Sequence, residues 1–202
     1  MIGDKILFKN IHLKKCNKIL PLIIEKFKWR KMTVTVGGEA GVGKTEVALL
    51  LQENLYKYNI RTKVVHIDDY YFTNWRDRNV TRKLKGVSSV GVTEIDWKKL
   101  KSITKSFKGK RKTINVQRIH KYTDSYEYVT VDNLCVDILI VEGLYANWLD
   151  ADYKVYLEGT YRDTLKFREE RGKETIDGFR RKVLRREHKE VLRTRRNIDL
   201  YL

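Results

Sequence analysis

The stretch VTVGGEAGVGKTEVALL, residues 34–50, constrains the chain more than any other. Gly38 to Thr45 satisfy G-x-x-x-x-G-K-[ST] at every defined position. β-Branched residues precede the motif, and Val47, Leu50, Leu51 and Leu55 follow it at helical spacing. The physics behind the pattern is local. Glycines let the backbone close around an anion with several N–H groups turned inward, and the helix that follows aims its positive end at the same point. Such a loop needs a strand, a tight turn and a helix in that order, which selects an α/β architecture. The expected phosphate contacts are Gly38, Gly41, Val42, Gly43, Lys44, Thr45 and Glu46. Lys44 would bridge the outer phosphates of a nucleoside triphosphate, and the Thr45 hydroxyl would ligate Mg2+.

The rest of the chain fits that frame. Residues 12–28 read as a helix kinked or broken at Pro21, and MTVTV (32–36) as the strand before the loop. A helix from about Thr45 to Tyr58 leads to the strand TKVVHI (62–67), after which residues 73–95 are polar and carry no clear period. A further helix starts at the N-cap candidate Asp96. KTINVQRI (112–119) and YEYVTV (126–131) pair as a hairpin across KYTDS. CVDILIV (135–141) and DYKVYLE (152–158) read as strands, the first a continuous apolar run buried on both faces. Helices at 161–171 and 174–196 and a last short strand, NIDLYL, close the chain. The predicted fold is an α/β, P-loop NTPase three-layer sandwich with a central parallel sheet, a small β-hairpin insertion and a short helical lid. One domain is expected over 1–202, with residues 1–31 as an N-terminal helical extension.

A nucleotide site also needs carboxylates, and two strands end on them. CVDILIV runs into Glu142 and Gly143, where a metal-organising acid of a phosphate-loop protein would stand. TKVVHI runs into Asp68 and Asp69, followed by Tyr70, Tyr71 and Phe72. One acid of that pair would accept or orient a hydroxyl proton, beside an aromatic substrate wall. A cap for the following turn is the plainer reading of the other.

Lys and Arg number 43 against 26 Asp and Glu, a formal charge of +17. The excess is uneven: residues 97–121 hold ten basic and no acidic residues, while 122–159 hold one basic and eight acidic. The balance calls for an anionic partner. No apolar run reaches membrane-spanning length, and MIGDKILFKN lacks the apolar core of a secretory signal, so no membrane association is expected. Cys16 and Cys135 are the only cysteines, too few for a disulfide framework, and the expected setting is the cytoplasm.

The ordered set GGEAGVGKT, VVHIDDYY, DILIVEG and YRDTLKFREERGKE resembles the uridine kinase / phosphoribulokinase family of phosphate-loop kinases, from about Met32 to Leu202. The resemblance implies ATP, or another NTP, as phosphoryl donor with Mg2+, and a small-molecule hydroxyl as acceptor. It implies Asp68 as catalytic base, also near the metal, and Glu142 as a magnesium residue. It makes Arg168, Arg171 and Lys173 lid cations that close over the transferring phosphate, with Arg162 assisting. It sets the hairpin at 112–131 in the acceptor region. The candidate substrate residues are Asp69, Tyr70 and Tyr71 beside the strand end, and Glu94, Arg118 and His120 where the chain departs from the family pattern.

Two departures touch the acceptor. The segment VGVTEIDW (90–97) lacks the H-P-D triplet by which the family's nucleoside kinases grip a ribose, leaving Glu94 or Asp96 as substitutes. In VQRIHKYTD (116–124), Arg118 stands where an acid is expected. Arg118, His120 and Lys121 therefore suit an anionic acceptor. The rival class is a nucleic-acid-linked P-loop NTPase or polynucleotide kinase, using the basic runs 98–112 and 180–196. A homo-oligomer is compatible with either.

Overall fold

The computed structural model describes residues 2–171 and 177–202, with the side chain of Arg171 outside that description. In chain order the elements are α1 (Asn10–Lys26), β1 (Met32–Gly38), α2 (Lys44–Tyr56), β2 (Thr62–His66), α3 (Trp75–Lys85), α4 (Trp97–Lys108), β3 (Thr113–Ile119), β4 (Tyr126–Asp132), β5 (Ile138–Glu142), β6 (Tyr153–Leu157), α5 (Leu165–Arg171), α6 (Gly178–Arg193) and β7 (Leu200–Tyr201).

Five strands form a parallel sheet in the order β2-β5-β1-β6-β7. β1 and β5 are buried along their whole length, and alternate residues of β5 feed opposite layers. Ile138 and Ile140 join Val34, Val36, Val155 and Leu157 against α1 and α2, which contribute Cys16, Ile19, Ile23, Val47, Leu51 and Leu55. Leu139 and Val141 face the other way, against Leu100, Ile103 and Phe107 of α4, Ile114 and Val116 of β3, and Val191 of α6. The result is the three-layer sandwich expected, with β3 and β4 as a separate antiparallel pair.

Two local outcomes sharpen the expectation. Of the two readings at Pro21, the break is excluded, since α1 runs through the proline. The proline lies on the exposed face, so the carbonyl it leaves unmatched, on Asn17, belongs to an exposed residue, while Ile19 and Ile23 keep the other face packed. The unassigned 73–95 segment contains α3, capped by Asn74, whose Oδ1 accepts from Asp77 N at 2.9 Å.

The hairpin is fixed to both flanks. Asn133 donates through Nδ2 to the carbonyls of Ser106, Phe107 and Arg111 at the end of α4. Gln117 Nε2 donates to Asp69 O at 2.6 Å, Gln117 N to the Tyr70 hydroxyl at 3.0 Å, and Ile119 N to Asp69 Oδ1 at 3.1 Å. These bonds clamp the turn after β2 against β3.

Candidate active site

All strands of the sheet are parallel, so β1, β2 and β5 deliver their carboxyl ends to one edge, where an open α/β sheet binds ligands. The loop after β1 holds Gly41 and Gly43 at φ of 82° and 88°, a left-handed conformation that favours glycine. Close packing reinforces the choice. A Cβ on Gly43 would lie 2.5 Å from the ring of His12, and one on Gly41 would lie 2.8 Å from side-chain atoms of Thr164 and Arg168. The loop is therefore held between α1 and the start of α5. Thr164 Oγ1 donates to Ala40 O at 2.6 Å. Buried Glu39 accepts from Tyr161 N at 2.8 Å and meets His188 Nδ1 at 2.5 Å, tying the loop to α6. Lys44 Nζ donates to Glu39 O at 2.6 Å.

Glu142 sits in register with Val36 of β1 and His66 of β2. Thr45 donates its hydroxyl to Glu142 Oε1 at 3.0 Å, and His66 Nδ1 lies 2.6 Å from the same oxygen. Burial alone would raise the Glu142 pKa, but the His66 hydrogen bond and the charges of His66 and Lys44 outweigh it, so the carboxyl is held below its ordinary range. Lys44, Thr45, Asp68 and Glu142 line one cleft together with Gly41, Tyr71, Trp75, Arg78, Arg168, Arg180 and Glu187. A second hollow beside it shares Thr45, Asp68 and Glu142 and adds His66, Arg118 and the N-terminal residue Asp4.

Other expected site residues lie elsewhere. Asp69 and Tyr70 do not face the cleft; both are buried and bonded to β3, and burial pushes the pKa of each up. Glu94 accepts from Arg82 at 2.7 and 2.8 Å and from Gly91 N at 3.0 Å, an arrangement that ties α3 to the turn before α4. Asp96 caps α4 through Lys99 N at 3.0 Å. His120 lies outside both hollows, 3.5 Å from Glu127, and Lys121 pairs with Asp4 at 3.7 Å. Glu46 turns its side chain into the interior, and Val42 packs inward while Gly38 closes on the Leu157 carbonyl. Arg168 stands over the loop and donates to Tyr161 O at 3.0 Å. Arg162 is exposed beside the Tyr161 hydroxyl. Lys173 lies outside the described residues, as does the side chain of Arg171.

Three charged cleft residues escaped the sequence reading: Arg78, Arg180 and Glu187. Glu187 bridges Arg82 at 3.0 Å and Arg180 at 3.2 Å. Burial would raise its pKa, yet the two guanidiniums hold it below the usual carboxylate range. Burial opposes the charge of Arg82 as well, but Glu94 and Glu187 raise its pKa above the ordinary value. The available signal was the position of Arg78 one helical turn after Trp75, in a segment whose helix went unassigned.

Four of the nine cations in the basic run 180–196 have partners within the fold. Arg186 and Arg193 each lie 2.8 Å from Glu190, Arg180 meets Glu187, and Arg195 stacks 4.1 Å over Tyr156. No described helix is long and apolar enough to cross a membrane.

No protein-family model matches the chain. Uridine kinases from two strains of Ureaplasma parvum serovar 3 are 28% identical over 130 residues, covering 62% of this chain and 61% of theirs. The match therefore spans under two thirds of the length of those curated relatives. Among solved structures, a protein described provisionally as a fructose transport system kinase from Silicibacter sp. TM1040 superposes with a TM-score of 0.72 at 16% identity, over 93% of this chain and 98% of that one. A possible uridine kinase from Bacillus stearothermophilus gives 0.65 at 15%, over 94% and 98%. Phosphoribulokinase from Rhodobacter spheroides gives 0.63 at 12%, over 82% and 66%. The chain has the P-loop kinase fold shared by these proteins.

Proposed function

We propose that the protein is an ATP-dependent kinase that transfers the γ-phosphoryl group of a nucleoside triphosphate to a hydroxyl of a small molecule. The convergence of Lys44, Thr45, Asp68 and Glu142 on one cleft carries this reading. Loop amides and Lys44 would bind the β- and γ-phosphates. Asp68 would accept the proton of the acceptor hydroxyl as its oxygen bonds to the γ-phosphorus and the bond to the bridging oxygen breaks, releasing the nucleoside diphosphate. Arg168, over the loop, would neutralise charge on the transferring group.

The donor set suits Mg2+. Thr45, Glu142 and Asp68 offer hard oxygen ligands, and the Thr45–Glu142 bond already brings two of them to 3.0 Å. Such an ion would take the rest of its shell from phosphates and water. When bound, Mg2+ would offset the phosphate charge. His66, on the same Glu142 oxygen, orients that carboxylate.

ADP release from MgATP, followed across nucleosides, polyols, hydroxy acids and sugar phosphates, tests the reading. Acceptor-dependent turnover that disappears in Lys44→Ala is the expected outcome. An absence of MgATP binding in the wild-type chain would overturn it.

A further inference from the structure

We propose, on the basis of the kinase reading above, that the acceptor carries a carboxylate or phosphate group in addition to the hydroxyl it presents, and that Arg78 binds this anion. The expectation from sequence assigned the anion to Arg118, His120 and Lys121. The structure points to a different cation.

Arg78 lines the same cleft as Lys44 and Asp68. Its guanidinium carbon lies 3.5 Å from the centroid of the Tyr71 ring, and Tyr71 is buried three residues after Asp68. Stacking fixes the plane of the guanidinium and leaves its edge for a ligand. The Nε of Arg78 is buried and has no hydrogen-bond partner, and Arg78 makes no ion pair with any described residue. An arginine lining a cleft with no carboxylate partner is available to an anionic ligand.

Among the described residues, Arg78 is a cleft cation that no carboxylate pairs. Glu187 lies between Arg82 and Arg180, so its charge is already balanced. Asp68 and Glu142 sit at the hydroxyl and metal positions, and Lys44 belongs to the phosphate loop. Arg78 is carried by α3 on the far side of Tyr71, away from the loop sequence. An acceptor whose hydroxyl reaches Asp68 runs past Tyr71 to Arg78. The planar fork of Arg78 matches the paired oxygens of a carboxylate or a phosphate. Trp75, one turn earlier on α3, gives the body of the acceptor an apolar wall.

The test compares matched acceptors in the ADP-release assay: glycerol with glycerate and with glycerol 3-phosphate, ribose with ribose 5-phosphate, and uridine as a neutral nucleoside. Wild type is expected to turn over an anionic member about 10- to 100-fold better in kcat/KM than its neutral partner, on the scale of hydrogen bonds to charged groups. The carboxylate and phosphate arms separate hydroxy acids from sugar phosphates. Arg78→Gln should raise the KM for the anionic acceptor by about ten-fold or more while the KM for ATP changes little, and Arg78→Lys should recover part of the loss. A neutral acceptor preferred by wild type would overturn the proposal. So would a preferred acceptor whose KM is unmoved in Arg78→Gln, or MgATP binding without turnover of any anionic member. Loss of MgATP binding in wild type would instead remove the kinase reading itself.

Discussion

The two ends of the cleft are built by different means. The loop end is main chain: contiguous residues 38–45, with three positive-φ glycines, between α1 and α5. The acceptor end is side chain: Tyr71, Trp75 and Arg78 come from one stretch, Arg180 and Glu187 from another about a hundred residues later, and Arg82 supports them from behind. A main-chain site tolerates little change in its own sequence but makes few demands on distant residues. A side-chain site depends on the whole sandwich to bring its parts together. Phosphate binding and acceptor choice therefore answer to different perturbations.

Replacement of Lys44 by Ala should have the largest effect and strike the loop end alone. Turnover should fall by at least about 1,000-fold, with the folded structure unchanged by circular dichroism, because on the proposed reading the lost charge would face the phosphates. Asp68→Asn comes next and lies on the boundary between the two ends. It should lower kcat by about 100- to 10,000-fold while MgATP still binds in a calorimetric titration. Retained turnover would move the proton acceptor elsewhere and break the comparison at its centre.

Glu187→Gln should separate the ends thermodynamically. The variant leaves Arg180 and Arg82 short of a buried counter-charge, and urea unfolding at pH 7 should show a loss of about 2–4 kcal/mol. The sign of the pH dependence follows from the lowered pKa of Glu187. Its contribution is complete above the ordinary carboxylate pKa and disappears as pH falls through the lower folded value. The difference between wild type and variant should thus shrink toward pH 3. A difference that grows with acid would reverse the assignment. The smallest effect is expected from Asp96→Ala, which removes the cap of α4 outside the cleft. It should cost about 1 kcal/mol in the same unfolding assay and leave KM values unchanged.

The same contrast explains what could be read in the chain beforehand. The parallel sheet, the hairpin, the loop and Glu142 were legible because each is encoded by neighbouring residues: an apolar run, a turn between alternating strands, a spaced glycine motif, an acid at a strand end. Asp69 and Asp68 are adjacent and chemically identical, and only the approach of β3 separates them, by placing Ile119 N on Asp69. Glu94 could not be distinguished from a ligand carboxylate until α3 brought Arg82 to it across a segment with no apolar period. Arg78 was hidden for the opposite reason. One arginine among 43 basic residues has no local mark, and its distinction is the ring beneath it and the carboxylate it lacks.

The ring of His12 stands where a Cβ on Gly43 would be, and this changes the standing of the first helix. Residues 10–26 are no detachable appendage to a nucleotide-binding core but one half of an interlocking pair, whose other half is a loop glycine. Any larger residue at position 43 requires the helix to retreat, and a shortened chain beginning at β1 would expose the back of the phosphate loop to solvent. The two positions can therefore drift only together, and a graft of this loop onto another scaffold must carry its first helix with it.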